Sequence, residues 1–85
     1  MTTLRYTYPG RRGGEIEVQP ATTAKYIAKR VAAAVGADEG MPWSLVAVDG
    51  PMRPGRAFRA LLIHDDALAA DLDLSQLFSI AEVTK

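Results

Sequence analysis

The chain has 85 residues, of which 48% are hydrophobic and 24% charged, the composition of one soluble globular domain over 1–85 rather than of a disordered tail or a membrane protein. It contains no cysteine, which excludes disulfides, thiolate zinc or iron–sulfur sites and a cysteine nucleophile, so the core stands without staples. Ten basic and ten acidic side chains cancel, and no field of the whole molecule draws it to nucleic acid or to anionic lipid. Charge is nevertheless segmented, with +4 over 1–36, −3 over 37–50, +3 over 51–63 and −4 over 64–85. No apolar stretch approaches the roughly 20 residues of a membrane helix, and the N-terminus lacks the apolar centre of a signal peptide, so no membrane insertion and a cytoplasmic location are expected.

Leu4-Arg5-Tyr6-Thr7-Tyr8 alternates apolar and polar residues, which predicts a strand with Leu4, Tyr6 and Tyr8 on one face. Pro9 to Gly14 has turn chemistry and Glu15-Ile16-Glu17-Val18 resumes the alternation, so the two segments read as a hairpin. Pro20 ends the second strand, and Thr22 or Thr23 is placed to cap a helix. Ala24, Ile27, Ala28, Val31, Ala34 and Val35 recur at helical spacing as one apolar stripe, with Lys25, Lys29 and Arg30 outside it. Gly36 suits the position just past the helix end. A loop over 37–42 leads to a mostly buried strand from Trp43 to Val48. The Pro- and Gly-rich stretch 51–56 is irregular, and 57–64 reads as a further strand, with a short helix as the alternative. One or two helical turns over 67–72 and a last strand from Phe78 to Val83 complete the chain.

Glu15 to Val31, reading EIEVQPATTAKYIAKRV, resembles the strand–Pro–Thr–helix passage of the ubiquitin-like superfamily, with Val18, Pro20, Thr23, Ala24, Ile27 and Val31 at the patterned positions. The resemblance covers about the first forty residues, and beyond them only the order of elements agrees. It implies an α+β, β-grasp fold in which a mixed sheet of four to five strands packs on one helix. Conjugated members end in Gly-Gly, whereas this sequence ends Glu82-Val83-Thr84-Lys85. The resemblance therefore implies a noncovalent member that binds another protein, as an adaptor or as an accessory subunit of a larger complex. The alternative is a carrier or modifier whose C-terminus is processed.

His64-Asp65-Asp66 is the one cluster with catalytic or metal-ligating residue types. Neighbours on an extended segment point to opposite faces and no second histidine exists, so the segment reads as a strand end, with a small enzyme using His64 as the less favoured reading. Ser44, Ser75 and Ser79 lack a nucleophile elbow, and Gly10 to Gly14 precedes a strand where a phosphate loop precedes a helix. No enzyme activity, cofactor or metal is expected. Candidate interaction residues are the basic set Arg11, Arg12, Lys25, Lys29 and Arg30, with all five charges expected to stay hydrated at one end of the molecule. Trp43 and Phe58 are the candidate aromatic contacts, and the first expectation for Phe58, Leu61 and Ile63 is the core. Aromatic residues are not interleaved with the basic ones, which argues against nucleic acid. Separated charge at zero net charge leaves self-association open beside a partner protein.

Overall fold

The computed structural model describes residues 2–49 and 59–82. These form a five-stranded mixed sheet and one α-helix, an α+β arrangement. Strands β1 (Thr2–Tyr8) and β2 (Arg11–Val18) form the expected antiparallel hairpin, pairing Thr2 with Val18, Leu4 with Ile16 and Tyr6 with Gly14. The turn is tighter than its composition suggests. Only Pro9 and Gly10 lie outside the strands, Gly10 taking φ +74, and Arg11 to Gly14 belong to β2. Tyr8 pairs with Arg11 although Tyr6 pairs with Gly14, so Arg12 and Gly13 together oppose Thr7 as a β-bulge. A Cβ on Gly13 would stand 2.9 Å from the Tyr6 carbonyl oxygen, which is why the bulge carries a glycine there.

Helix α1 (Ala24–Val35) begins at Thr23, whose Oγ1 accepts from the Tyr26 N–H at 3.4 Å. Of the two capping threonines open in the sequence, Thr23 is the cap. The next free donors, Ala24 N–H and Lys25 N–H, bond to the carbonyls of Ala67 and Asp65 at 2.8 and 3.1 Å. The helix start is thereby fastened to the loop that follows the fourth strand. At the other end Gly36 adopts φ +74, its N–H bonding to Ala33 and that of Ala37 to Ala32, a Schellman motif. Ala24, Ile27, Ala28, Val31, Ala32 and Val35 are buried. Ala34 was expected in this stripe but is exposed. It falls just outside the buried arc in the last turn, and Ala32 fills the opposite rim.

Strands β3 (Trp43–Asp49), β4 (Arg59–Leu62) and β5 (Leu77–Glu82) complete the sheet in the order β2-β1-β5-β3-β4. Residues 59–62 resolve the strand-or-helix alternative in favour of strand; 57, 58 and Val83 lie outside the described residues. A 3₁₀ turn, Ala69–Asp71, stands where one or two helical turns were expected. β5 runs parallel to β1, pairing Arg5 with Leu77 and Tyr6 with Phe78, and antiparallel to β3 over six residue pairs. Leu4, Val18, Leu45, Ala47, Phe78 and Ile80 meet the helix stripe as one buried cluster. Burying Ile27 and Val31 alone contributes about 1.5–3 kcal/mol each. The helix lies over β3, β2 and β5. β4 lies at the margin of this packing, and Leu61, expected in the core, is 58% exposed while Ile63 is half-buried.

Candidate functional site

The outer face of α1 is basic because its sequence, AKYIAKRVAAAV, holds two lysines and one arginine and no acid. Lys25 and Lys29 are spaced four residues apart and therefore share one side, and both are exposed. Tyr26 projects beside Lys29, three residues on, at 56% exposure. Among the described residues no carboxylate lies within ion-pair distance of either lysine. Arg30, four residues after Tyr26, leans the other way: it is half-buried and its Nη1 donates to the Glu17 carbonyl at 2.5 Å. Glu17, Gln19, Thr22, Tyr26 and Arg30 thus line an open groove of about 490 Å³ between the helix and the edge of β2.

Tyr26 was not among the sequence-derived candidates. Its signal was present, since a tyrosine between Lys25 and Ile27 and off the apolar stripe has no core to enter. A phenol offers a large apolar ring with a polar tip, which suits a surface that is wet when free and covered when bound. Arg11 and Arg12 are exposed at the start of β2. They stand about 16 to 20 Å along the strand from Glu17, at ~3.3 Å per residue, where Arg30 docks. The structure places Lys29 and Arg30 beside Tyr26, puts Lys25 on a separate groove that it lines with Leu62, His64, Asp65 and Asp66, and sets Arg11 and Arg12 apart from them.

Trp43 is half-buried, its Nε1 donating to the Asp38 carbonyl at 2.6 Å and its ring meeting Tyr8 edge-to-face at 6.0 Å. Both bond and packing hold it as part of the sheet's end, next to a groove of about 410 Å³ that also involves Pro9, Val46 and Ser79. Phe58 lies outside the described residues.

The side chains of His64 and Asp66 are 79% and 90% exposed. His64 Nδ1 accepts from the Asp66 backbone N–H at 3.1 Å, and Asp65 Oδ1 is 3.2 Å from the Ser44 hydroxyl. The His64–Asp66 contact shapes a loop turn in open water, the Ser44–Asp65 bond is part-buried, and among the described residues no three His, Asp or Glu side chains are placed to hold a metal ion. Asp73 accepts from the Ser75 hydroxyl at 2.6 Å and its backbone N–H at 3.0 Å, which hold its carboxyl below the ordinary value. No helix among the described residues is long and apolar enough to cross a membrane.

No family model, curated protein or solved structure gives a significant match to the chain. The functional reading therefore rests on the geometry of the site itself.

Proposed function

We propose that the chain is a noncatalytic protein-binding module of β-grasp, ubiquitin-like architecture, and that the outer face of α1 receives an acidic surface of another protein. Three features support the architecture. The sheet order β2-β1-β5-β3-β4 with a parallel centre and the helix after the first hairpin fit the resemblance over Glu15–Val31. Within that passage Val18, Ala24, Ile27 and Val31 enter the core and Thr23 caps the helix. The observation that carries the function is Tyr26, a large aromatic left 56% exposed beside Lys29 and Arg30, with neither lysine of the helix in an ion pair among the described residues. Tyrosine and arginine are favoured as interface anchors, and exposed lysines steer an acidic partner while leaving the anchor to hold it. The solvated His64 and Asp66 side chains lack the dry surroundings in which a carboxylate–imidazole pair is tuned for catalysis.

Affinity capture with the tagged chain from its native host tests this. Tyr26→Ala and, separately, the pair Lys25→Glu with Lys29→Glu are expected to weaken capture of the partner at least tenfold, roughly the loss of one anchor contact. The charge-reversed pair should also remove the salt dependence of association. Both variants change exposed positions and should keep the wild-type circular dichroism. Unchanged capture by folded variants at low and high salt would overturn the proposal.

A further inference from the structure

One end of the sheet holds two aromatic rings and a carboxylate around a single groove. Tyr8, Trp43 and Glu82 line this space of about 410 Å³ together with Pro9 and Ile80, and Glu82 is the only charged residue among the described ones that do so. Trp43 and Glu82 are partners across β3 and β5, which sets their side chains next to each other on one face. The Tyr8 ring stands at 88° to the indole with centroids 6.0 Å apart, so the two rings meet as perpendicular walls. The indole is fixed in this pose. Its N–H donates to the Asp38 carbonyl, which also accepts from the Met41 N–H at 3.2 Å, while Asp38 Oδ1 accepts from the Gly40 N–H at 2.9 Å. Trp43 therefore presents ring surface to the groove and no donor. Glu82 is exposed, and among the described residues no cation pairs with it.

We infer that this groove binds a small organic cation carrying a quaternary ammonium group. The faces of aromatic rings are electronegative and attract a cation, more strongly as water is excluded. Two such walls at a right angle contact a rounded ammonium on two sides, and the Glu82 carboxylate balances its charge. An anion would meet Glu82 and find no lysine or arginine among the described lining residues. A neutral apolar molecule would cover that carboxylate without pairing it, which is costly. A primary ammonium brings three N–H donors to walls made of ring faces, Pro9 and Ile80, whereas a fully methylated one has no donor to satisfy. The volume falls within the range of small-molecule sites, roughly 300–1,000 Å³, which favours a free molecule over a protein segment. Among the described lining residues none belongs to α1, so the inference stands apart from the partner surface proposed above.

The test is titration of the full chain with choline, followed by the emission of Trp43, the only tryptophan, and by amide NMR shifts. Saturable binding with a Kd of about 1–10 mM is expected for so few contacts, with the largest shifts around Tyr8, Trp43 and Glu82. The uncharged isostere of choline, in which carbon replaces nitrogen, should bind about tenfold more weakly. Tyr8→Leu keeps apolar bulk but removes a ring face, and should weaken choline by a similar factor of about ten. Glu82→Gln, at an exposed position, should weaken it roughly threefold and lessen its dependence on salt. Should Tyr8→Leu fail to fold, Glu82→Gln and the isostere decide the matter. Lys25→Glu with Lys29→Glu should leave choline binding unchanged, separating it from partner capture. No saturable response up to about 100 mM choline, equal binding of the isostere, or an unchanged Kd in folded Glu82→Gln would overturn the inference. A trimethyllysine peptide binding about tenfold tighter than choline would overturn it too, because the occupant would then be a protein.

Discussion

Asp73 shows how a single exposed side chain can order a loop. Its carboxylate accepts from both the hydroxyl and the N–H of Ser75, and the Ser75 carbonyl in turn accepts from Arg5 Nη2 at 2.8 Å, tying the approach to β5 onto β1. The hydroxyl is the larger cause of the lowered pKa, the backbone N–H the second, and slight desolvation opposes both. Because the folded pKa lies below the unfolded one, the bond contributes stability above the ordinary carboxyl value of 3.8 and loses it as pH falls through the folded pKa. Ser75→Ala is accordingly expected to return the Asp73 midpoint part of the way toward 3.8, read by NMR titration. It should destabilise at neutral pH, with the difference from wild type vanishing in acid. An Asp73 midpoint that does not move would show that the hydroxyl is not its cause.

Helix α1 joins stability to the proposed binding face through one position. Its first turn carries no acidic residue and its last turn no basic one, so the helix dipole is left uncomplemented at both ends. Tyr26 occupies the third helical position, where a glutamate would complete a capping box with Thr23. Tyr26→Glu is therefore expected to raise the thermal midpoint, corresponding to about 0.5–1 kcal/mol, while abolishing partner capture. A variant that lost both stability and capture would show that the phenol holds the helix in place instead. The stripe from Ala24 to Val35, the Thr23 cap and Gly36 were legible in the sequence, because periodicity and capping depend on neighbours three or four residues apart. The exposure of β4 was not. Four consecutive apolar residues, Ala60 to Ile63, describe a buried strand and a bare edge strand equally well; what separates them is how far the helix reaches across the sheet. The parting of Arg30 from Arg11 and Arg12 was hidden for a similar reason, since the helix crossing sets the distance between them.

At the scale of the whole molecule, the strand that comes last in the described chain lies in the middle of the sheet. β5 pairs with β1 on one side and β3 on the other, and among the described residues the β1–β2 and β3–β4 hairpins share no ladder of their own. Each hairpin alone is marginal in water. Phe78 is fully buried and Ile80 nearly so, and truncating a buried phenylalanine alone costs about 3–5 kcal/mol, against a total stability of about 5–15 kcal/mol for a domain. Losing the whole strand also leaves the facing backbone groups of β1 and β3 without partners in the interior. A chain ending at Gln76 is thus expected to show no cooperative thermal transition. A synthetic peptide of residues 77–85, added in excess, should restore that transition by entering the centre of the sheet, with a midpoint that rises with peptide concentration as mass action requires. If the shortened chain melted cooperatively by itself, the two hairpins and the helix would form a core without β5, and the parallel β1–β5 pairing would be an addition to the fold instead of its closing step.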